Sequence, residues 1–305
     1  MKRRNFLKQS SLASAFSLGG IPSSSSHNIS AVDPYNYQMK YAPHLGMFKH
    51  HAGDDPIDQL NFMADMGFRA FEDNGMKGRD VSLQEKIAKT MMDRGLEMGV
   101  FVAHEIYWGE PNLANGDEAL RDKFLKEIGE SVEVAKRVNA TWMTVVPGHM
   151  DLRKDMGFQT SNVMEALKRA SAILEPHGLV MVLEPLNRFN HPGMFLSESP
   201  QAHALCKGVG SPSCKILFDI YHQQITEGNI IPNIDAAWDE IAYFQIGDNP
   251  GRKEPTTGEI NYLNIFKHIQ SKGFDGILGM EHGNATPGKE GEMALLKAYQ
   301  SVDQF

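Results

Sequence analysis

Cysteine is nearly absent: Cys206 and Cys214 are the two in 305 residues, and neither stands in a C-x-x-C or zinc-type spacing. That excludes a cysteine-built metal site and a disulfide scaffold. Two readings of the pair remain, a bridge formed in an oxidising compartment or two small apolar side chains buried beside a loop. Long apolar runs are also missing, since none approaches the ~18 residues a membrane-spanning helix needs, so no stable membrane insertion is expected. Positive charge is scarce. The formal charge of −8 becomes −12 once Lys2, Arg3, Arg4 and Lys8 are set aside, and a body that acidic does not attract nucleic acid. With 41% hydrophobic and 22% charged residues, the composition is that of a globular protein with a large core.

The four cations lie together in the first eight residues, Met1-Lys2-Arg3-Arg4-Asn5-Phe6-Leu7-Lys8. A mildly apolar, small-residue stretch to Gly20 follows, and then a Ser-rich spacer over 21–30. The Arg-Arg-x-Phe-Leu-Lys core resembles a bacterial twin-arginine export signal. Lys2 stands where that pattern usually has Ser or Thr, and no clean A-x-A cleavage site follows, since Ala13-Ser14-Ala15 lies within the apolar stretch. The resemblance implies export of the folded protein to the periplasm, with residues 1–30 as signal and spacer and residues 40–305 as the catalytic domain.

From about Tyr41 onward, short apolar, β-branched or aromatic runs alternate with longer amphipathic stretches, the rhythm of repeated βα units. The spacing predicts strands over 45–48, 69–72, 98–103, 142–146, 180–184, 215–219, 242–246 and 277–281. It predicts helices over segments such as 57–66, 83–94, 118–138, 162–174 and 263–271. Gly67, Gly95, Gly178 and Gly273 each follow a helical run, where a left-handed C-cap is wanted. Eight units in this length predict a single (β/α)8 TIM barrel, which typically takes ~250 residues. An open doubly wound sheet usually places a Gly-rich phosphate loop after its first strand, and Gly46-Met47-Phe48-Lys49-His50-His51 is no such loop.

Functional residues of a parallel barrel sit at the carboxyl ends of its strands. The last four predicted strands end alike, each breaking an apolar run with a polar residue: Glu184, Asp219, Gln245 and Glu281. Three carboxylates converging on one barrel mouth repel one another unless a cation neutralises them. Oxygen-dominated ligation favours one hard or borderline divalent ion, Mg2+ or Mn2+. The alternative for any one carboxylate is a salt bridge or a helix cap. His222, three residues past Asp219, is either a substrate or orienting contact or a plain loop histidine. Arg252, the first cation after the seventh strand, either pairs with a substrate carboxylate or forms a salt bridge within its loop. His104 and Glu105 are candidate pocket lining, and His149 and His282 also fall at strand ends.

The segment Gly247-Asp248-Asn249-Pro250-Gly251-Arg252-Lys253-Glu254-Pro255-Thr256-Thr257-Gly258-Glu259-Ile260-Asn261-Tyr262 resembles the signature loop of hydroxypyruvate isomerases, within the xylose-isomerase-like barrel superfamily. Glu184-Pro185-Leu186-Asn187, Pro192-Gly193-Met194-Phe195-Leu196 and Phe218-Asp219-Ile220-Tyr221-His222 are similar to the same family. The likeness is strongest over 179–283. It implies metal ligation by Glu184, Asp219, Gln245 and Glu281, an acid/base pair in Glu184 and Glu281, and substrate contacts from His222 and Arg252. The chain departs from the family's pattern at Lys49-His50-His51 and His104-Glu105, in loops that shape the substrate pocket.

Moving a carbonyl to the adjacent carbon requires removing a proton beside it, forming an enediolate and returning a proton to the neighbouring carbon. A metal and two carboxylates suit that chemistry. The leading expectation is a metal-dependent aldose/ketose isomerase acting on a small keto-acid or sugar, as a monomer or homo-oligomer. A ketose 3-epimerase or another enzyme of keto-sugars or glycosides is the alternative on the same site. An abasic-site endonuclease is disfavoured by the acidic body, and a non-catalytic sugar-binding barrel by the presence of both glutamates.

Overall fold

The computed structural model describes residues 34–305; the twin-arginine motif and its spacer lie outside the described residues. Eight short parallel strands follow the predicted rhythm: β1 (Lys40–Ala42), β2 (Ala70–Phe71), β3 (Glu97–Met98), β4 (Trp142–Val145), β5 (Val180–Leu183), β6 (Cys214–Asp219), β7 (Ile241–Gln245) and β8 (Ile277–Gly279). Six pair in the order β1-β8-β7-β6-β5-β4, and β2 pairs with β3. Parallel bridges His44–Glu72, Met98–Ala140 and Val102–Thr144 connect the two sheets on either side. The result is a TIM barrel whose two sheets are joined by these isolated bridges.

Successive strand side chains face opposite ways, which sorts each strand between two cores. Met181 and Leu183 of β5 join the large outer core beneath the helices. Val182 points inward and meets Ala42, Ala70, Val100, Leu217, Tyr243 and Ile277 in a separate inner layer. Adding two to those inner positions gives the next layer towards the carboxyl ends: His44, Glu72, Val102, Glu184, Asp219, Gln245 and Gly279. Three of the expected site residues stand there because the strand period puts them on the inner face.

Helices cover the outside, among them Pro56–Asp65, Val81–Arg94, Glu118–Val138, Met156–Leu174, Ser199–Val209, Tyr262–Ser271 and Gly288–Val302. Asp55, Asp117 and Asn261 cap three of them through side-chain bonds to Ile57, Leu120 and Asn264 N–H groups. Gly95 closes its helix at φ +67°, its N–H bonding the carbonyls of Met91 and Met92. At Gly67, with φ +94°, a β-carbon would lie 1.9 Å from the Tyr35 carbonyl oxygen, so only glycine fits.

The first strand departs from expectation. β1 is Lys40–Ala42, and residues 45–48 form a turn leading to the short helix Lys49–Ala52. Their apolar character has another cause: Met47 and Phe48 are buried, and Phe48 packs against Phe62 and Phe68. A short apolar run reads the same whether it is a strand or a buried turn. Cys206 and Cys214 are buried free thiols; Cys214 beside it and burial push the Cys206 thiol up, which disfavours the thiolate. Among the described residues no helix is long and apolar enough to cross a membrane.

Candidate active site

Asp219 ends β6 and lies in register with Gln245, which ends β7. Asp219 also caps the helix Ile220–Thr226: its Oδ1 accepts from the N–H groups of Tyr221 at 2.8 Å and His222 at 3.4 Å. Glu184 follows β5 directly and Glu281 comes two residues after β8. Glu184, Asp219 and Gln245 are buried, while the Glu281 side chain is a quarter exposed.

Arg252 enters from the loop after β7. Asp248, fully buried, holds that loop by accepting from Gly258 N–H at 2.8 Å and Ile260 N–H at 3.1 Å. The guanidinium lies over the Tyr221 ring and donates from Nη2 to Asp219 Oδ2 at 3.0 Å and Glu281 Oε2 at 2.5 Å. Arg252, expected to contact a substrate, here bridges two of the expected metal ligands. Burial pulls its pKa down, but Glu281, Asp219 and Glu184 together push it above its ordinary value.

His222 is fully buried, and its tautomer follows from its neighbours. The Asn187 backbone N–H donates to Nδ1 at 3.1 Å, so Nδ1 is the bare nitrogen and Nε2 bears the hydrogen. Burial lowers the ring's pKa to about 4, which keeps it neutral. Nε2 lies 3.5 Å from Asp219 Oδ2 and 3.8 Å from Glu184 Oε1, with no hydrogen-bond partner. One ligand atom each from Glu184, Asp219 and His222 lie within 4.8 Å of one another, a spacing a metal could bridge. An N–H offers no lone pair, however, so His222 acts as a donor aimed into the site and leaves ligation to oxygen.

His104 does not join the group. Its Nε2 accepts from Val146 N–H at 3.3 Å, its Nδ1 bonds the Glu105 carbonyl, and the ring packs edge-on against Phe124. Position at a strand end suggested pocket lining, but the side chain turns into the core. His282 is likewise committed elsewhere, to the Tyr299 hydroxyl and the Gly283 carbonyl.

Sequence reasoning missed Glu72 and Asn74. Glu72 is 1% exposed and accepts from the Tyr243 hydroxyl at 2.7 Å and Gln245 Nε2 at 2.9 Å. Asn74 donates to Glu281 Oε1 at 2.9 Å. The signal was present: Ala70 is an inner-layer residue, so 72 and 74 continue the inward phase. A cavity of about 310 Å3 opens beside Glu281, lined by His44, Asn74 and Arg79 among others.

Three carboxyl groups, Glu281, Asp219 and Glu184, thus share one guanidinium, with Glu72 buried beside Gln245. Burial pushes Glu184 well above the usual carboxylate range, with Glu281 and Asp219 adding to the shift and Arg252 opposing it. Burial brings Glu281 to about 7 against the pull of Arg252. It takes Glu72 to about 8, with Glu281 adding. Such surplus negative charge is relieved by protons or by a cation. Gln245 Oε1 is buried and has no partner. With Glu184, Asp219 and Glu281 it would offer an all-oxygen donor set of the kind that suits Mg2+ or Mn2+, although Glu281 now bonds Asn74 and Arg252.

Residues 60–299 match the family model described as xylose isomerase-like TIM barrel. A 2-oxo-tetronate isomerase from Cupriavidus necator is 32% identical over 67% of this chain and 79% of its own. A hydroxypyruvate isomerase from Escherichia coli is 37% identical over 43% of this chain, a match spanning about half (51%) of that protein. Among solved structures, an AP endonuclease of family 2 from Brucella melitensis superposes with a TM-score of 0.73 over 83% of this chain and 96% of its own, at 24% identity. At that identity the likeness is one of fold.

Proposed function

The chain belongs to the xylose isomerase-like TIM barrel family, and from that premise we propose that it interconverts a 2-oxo acid bearing a neighbouring hydroxyl with its 3-oxo isomer, an aldehyde for three carbons and a ketone for four. Kinship with proteins named as isomerases makes it an isomerase; the substrate class, hydroxypyruvate or a four-carbon homologue, is the proposal. The observation that carries it is the pair Glu184 and Glu281. They follow β5 and β8, on different sides of one mouth, and burial raises the pKa of both, that of Glu281 to about 7. A carboxyl poised near the working pH can both take and give a proton.

One glutamate removes the proton from the hydroxyl-bearing carbon. The electron pair moves to form the enediolate between that carbon and the former carbonyl carbon. A proton returns to the former carbonyl carbon from the second glutamate, while the hydroxyl proton passes from one oxygen to the other. His222 Nε2–H and the Arg252 guanidinium are the donors available to the oxygens on which charge develops. Glu184, Asp219, Gln245 and Glu281 would hold a divalent cation, which when bound stabilises negative charge on the substrate oxygens and acidifies the adjacent C–H.

The test is to strip metal from the purified protein, reload with Mg2+ or Mn2+, and assay hydroxypyruvate, four-carbon 2-oxo acids and neutral ketoses side by side. Isomerisation of the acids in the loaded protein only is the expected result. Full turnover without metal would overturn the metal's role, and turnover of neutral ketoses alone would overturn the substrate class.

A further inference from the structure

Glu72 is an expensive residue to bury, because an apolar side chain would fill the same space without losing hydration. The barrel nevertheless makes room for it. At Gly279, the inner-face position of β8 in its layer, a β-carbon would lie 1.8 Å from Glu72 Oε2. At Gly99 a β-carbon would lie 2.4 Å from the hydroxyl of Tyr243, the residue that donates to Glu72. Two strand segments have therefore given up a side chain to hold this carboxylate and its phenol partner.

An amide needs what a carboxylate offers. The oxygen and NH2 ends of a glutamine have nearly the same shape, and only hydrogen bonding decides which way it faces. Glu72 Oε1 accepts the Gln245 Nε2–H at 2.9 Å, which leaves Gln245 Oε1 on the other side, buried and without a partner. Gln245 stands beside Asp219 in sheet register. We infer that Glu72 is a positioning residue, which holds the Gln245 amide so that its oxygen and not its NH2 meets the cation. The inference rests on the proposed metal site. A reversed amide would present hydrogens to a cation and remove one ligand. Tyr243 completes the device by occupying the other carboxylate oxygen.

The experiment is Mn2+ binding to metal-free protein, followed by the paramagnetic resonance signal of free Mn2+. Glu72→Met removes the acceptor, and affinity is expected to fall ~10–100-fold, the range for partners that orient a ligand. Glu72→Gln keeps an oxygen for the Gln245 amide and is expected to stay within a few-fold of the unaltered protein. In a Gln245→Ala background, adding Glu72→Met should cost nothing further. Unchanged affinity in Glu72→Met, or an equal loss on top of Gln245→Ala, overturns the positioning role while leaving the metal site standing. Failure of the unaltered protein to bind Mn2+ overturns the metal reading and this inference with it. Should Glu72→Met not fold, the unaltered protein decides by nuclear magnetic resonance. Its Gln245 side-chain NH2 should be protected from solvent exchange before metal is added, and its Cδ should shift when Mg2+ binds. A freely exchanging amide or an unmoved Cδ overturns the inference.

Discussion

Glu184 and Glu281 are the same residue type in different surroundings, and the difference sets what each substitution should do. Glu184 is buried without a guanidinium contact of its own, whereas Glu281 bonds Arg252 and Asn74. Replacing either with Gln keeps an oxygen in place and removes the base. Turnover is expected to fall by ~10²-fold or more, the loss typical of a positioned acid or base, with the melting temperature nearly unchanged. Retained turnover in both variants would remove their catalytic assignment. Their raised pKa values also predict a pH dependence. Burial raises both and brings Glu281 to about 7, so a cation must displace a proton from Glu281 near neutrality, and metal affinity should rise with pH through about 7. Calorimetry of Mn2+ binding in two buffers of different ionisation heat should register proton release at pH 7 and less at pH 9. Absence of release at pH 7 would contradict the assignment. His222 shows how far a residue's sequence position reaches: three residues past Asp219 it was legible as a site residue. Its role as an N–H donor, however, depends on the Asn187 backbone, 35 positions away.

The later strands were legible because each is an apolar run that ends abruptly on a polar residue, with the structure placing that polar residue at or just after the strand. The early ones were not. β2 and β3 have two residues each, too few to show a period, and this hid Glu72 although its inward phase follows from Ala70. The 45–48 run misled because a buried turn and a strand share composition. His104 misled because a strand end does not fix the direction of the side chain beyond it. The loop after β7 was legible as a unit, and its dependence on Asp248 is a structural addition. Asp248→Ala removes the acceptor of the Gly258 N–H, which water can replace, and of the buried Ile260 N–H, where the loss costs ~1–3 kcal/mol. The barrel should survive, with a lowered melting temperature, while the loop releases Arg252 and activity falls more than stability does. Activity unchanged in that variant would show that the loop's order does not matter to the site.

At the scale of the whole molecule, the first eight residues are basic and the rest of the chain is acidic. We propose that residues 1–30 direct twin-arginine export, a route that carries folded proteins and would allow metal loading beforehand. Changing Arg3 and Arg4 to Lys should strand the protein in the cytoplasm, as fractionation would record; undiminished periplasmic delivery would contradict the assignment. The task proposed for the barrel is the proton shuttle between two glutamates. Its most direct test is turnover in D2O with mass analysis of the product. Proton transfer through solvent-exchangeable carboxyls predicts deuterium at the carbon that gains hydrogen, and its loss from Glu184→Gln and Glu281→Gln together with turnover. Complete retention of the substrate's own hydrogen, with either variant still active, would contradict the account and point to a direct hydride shift.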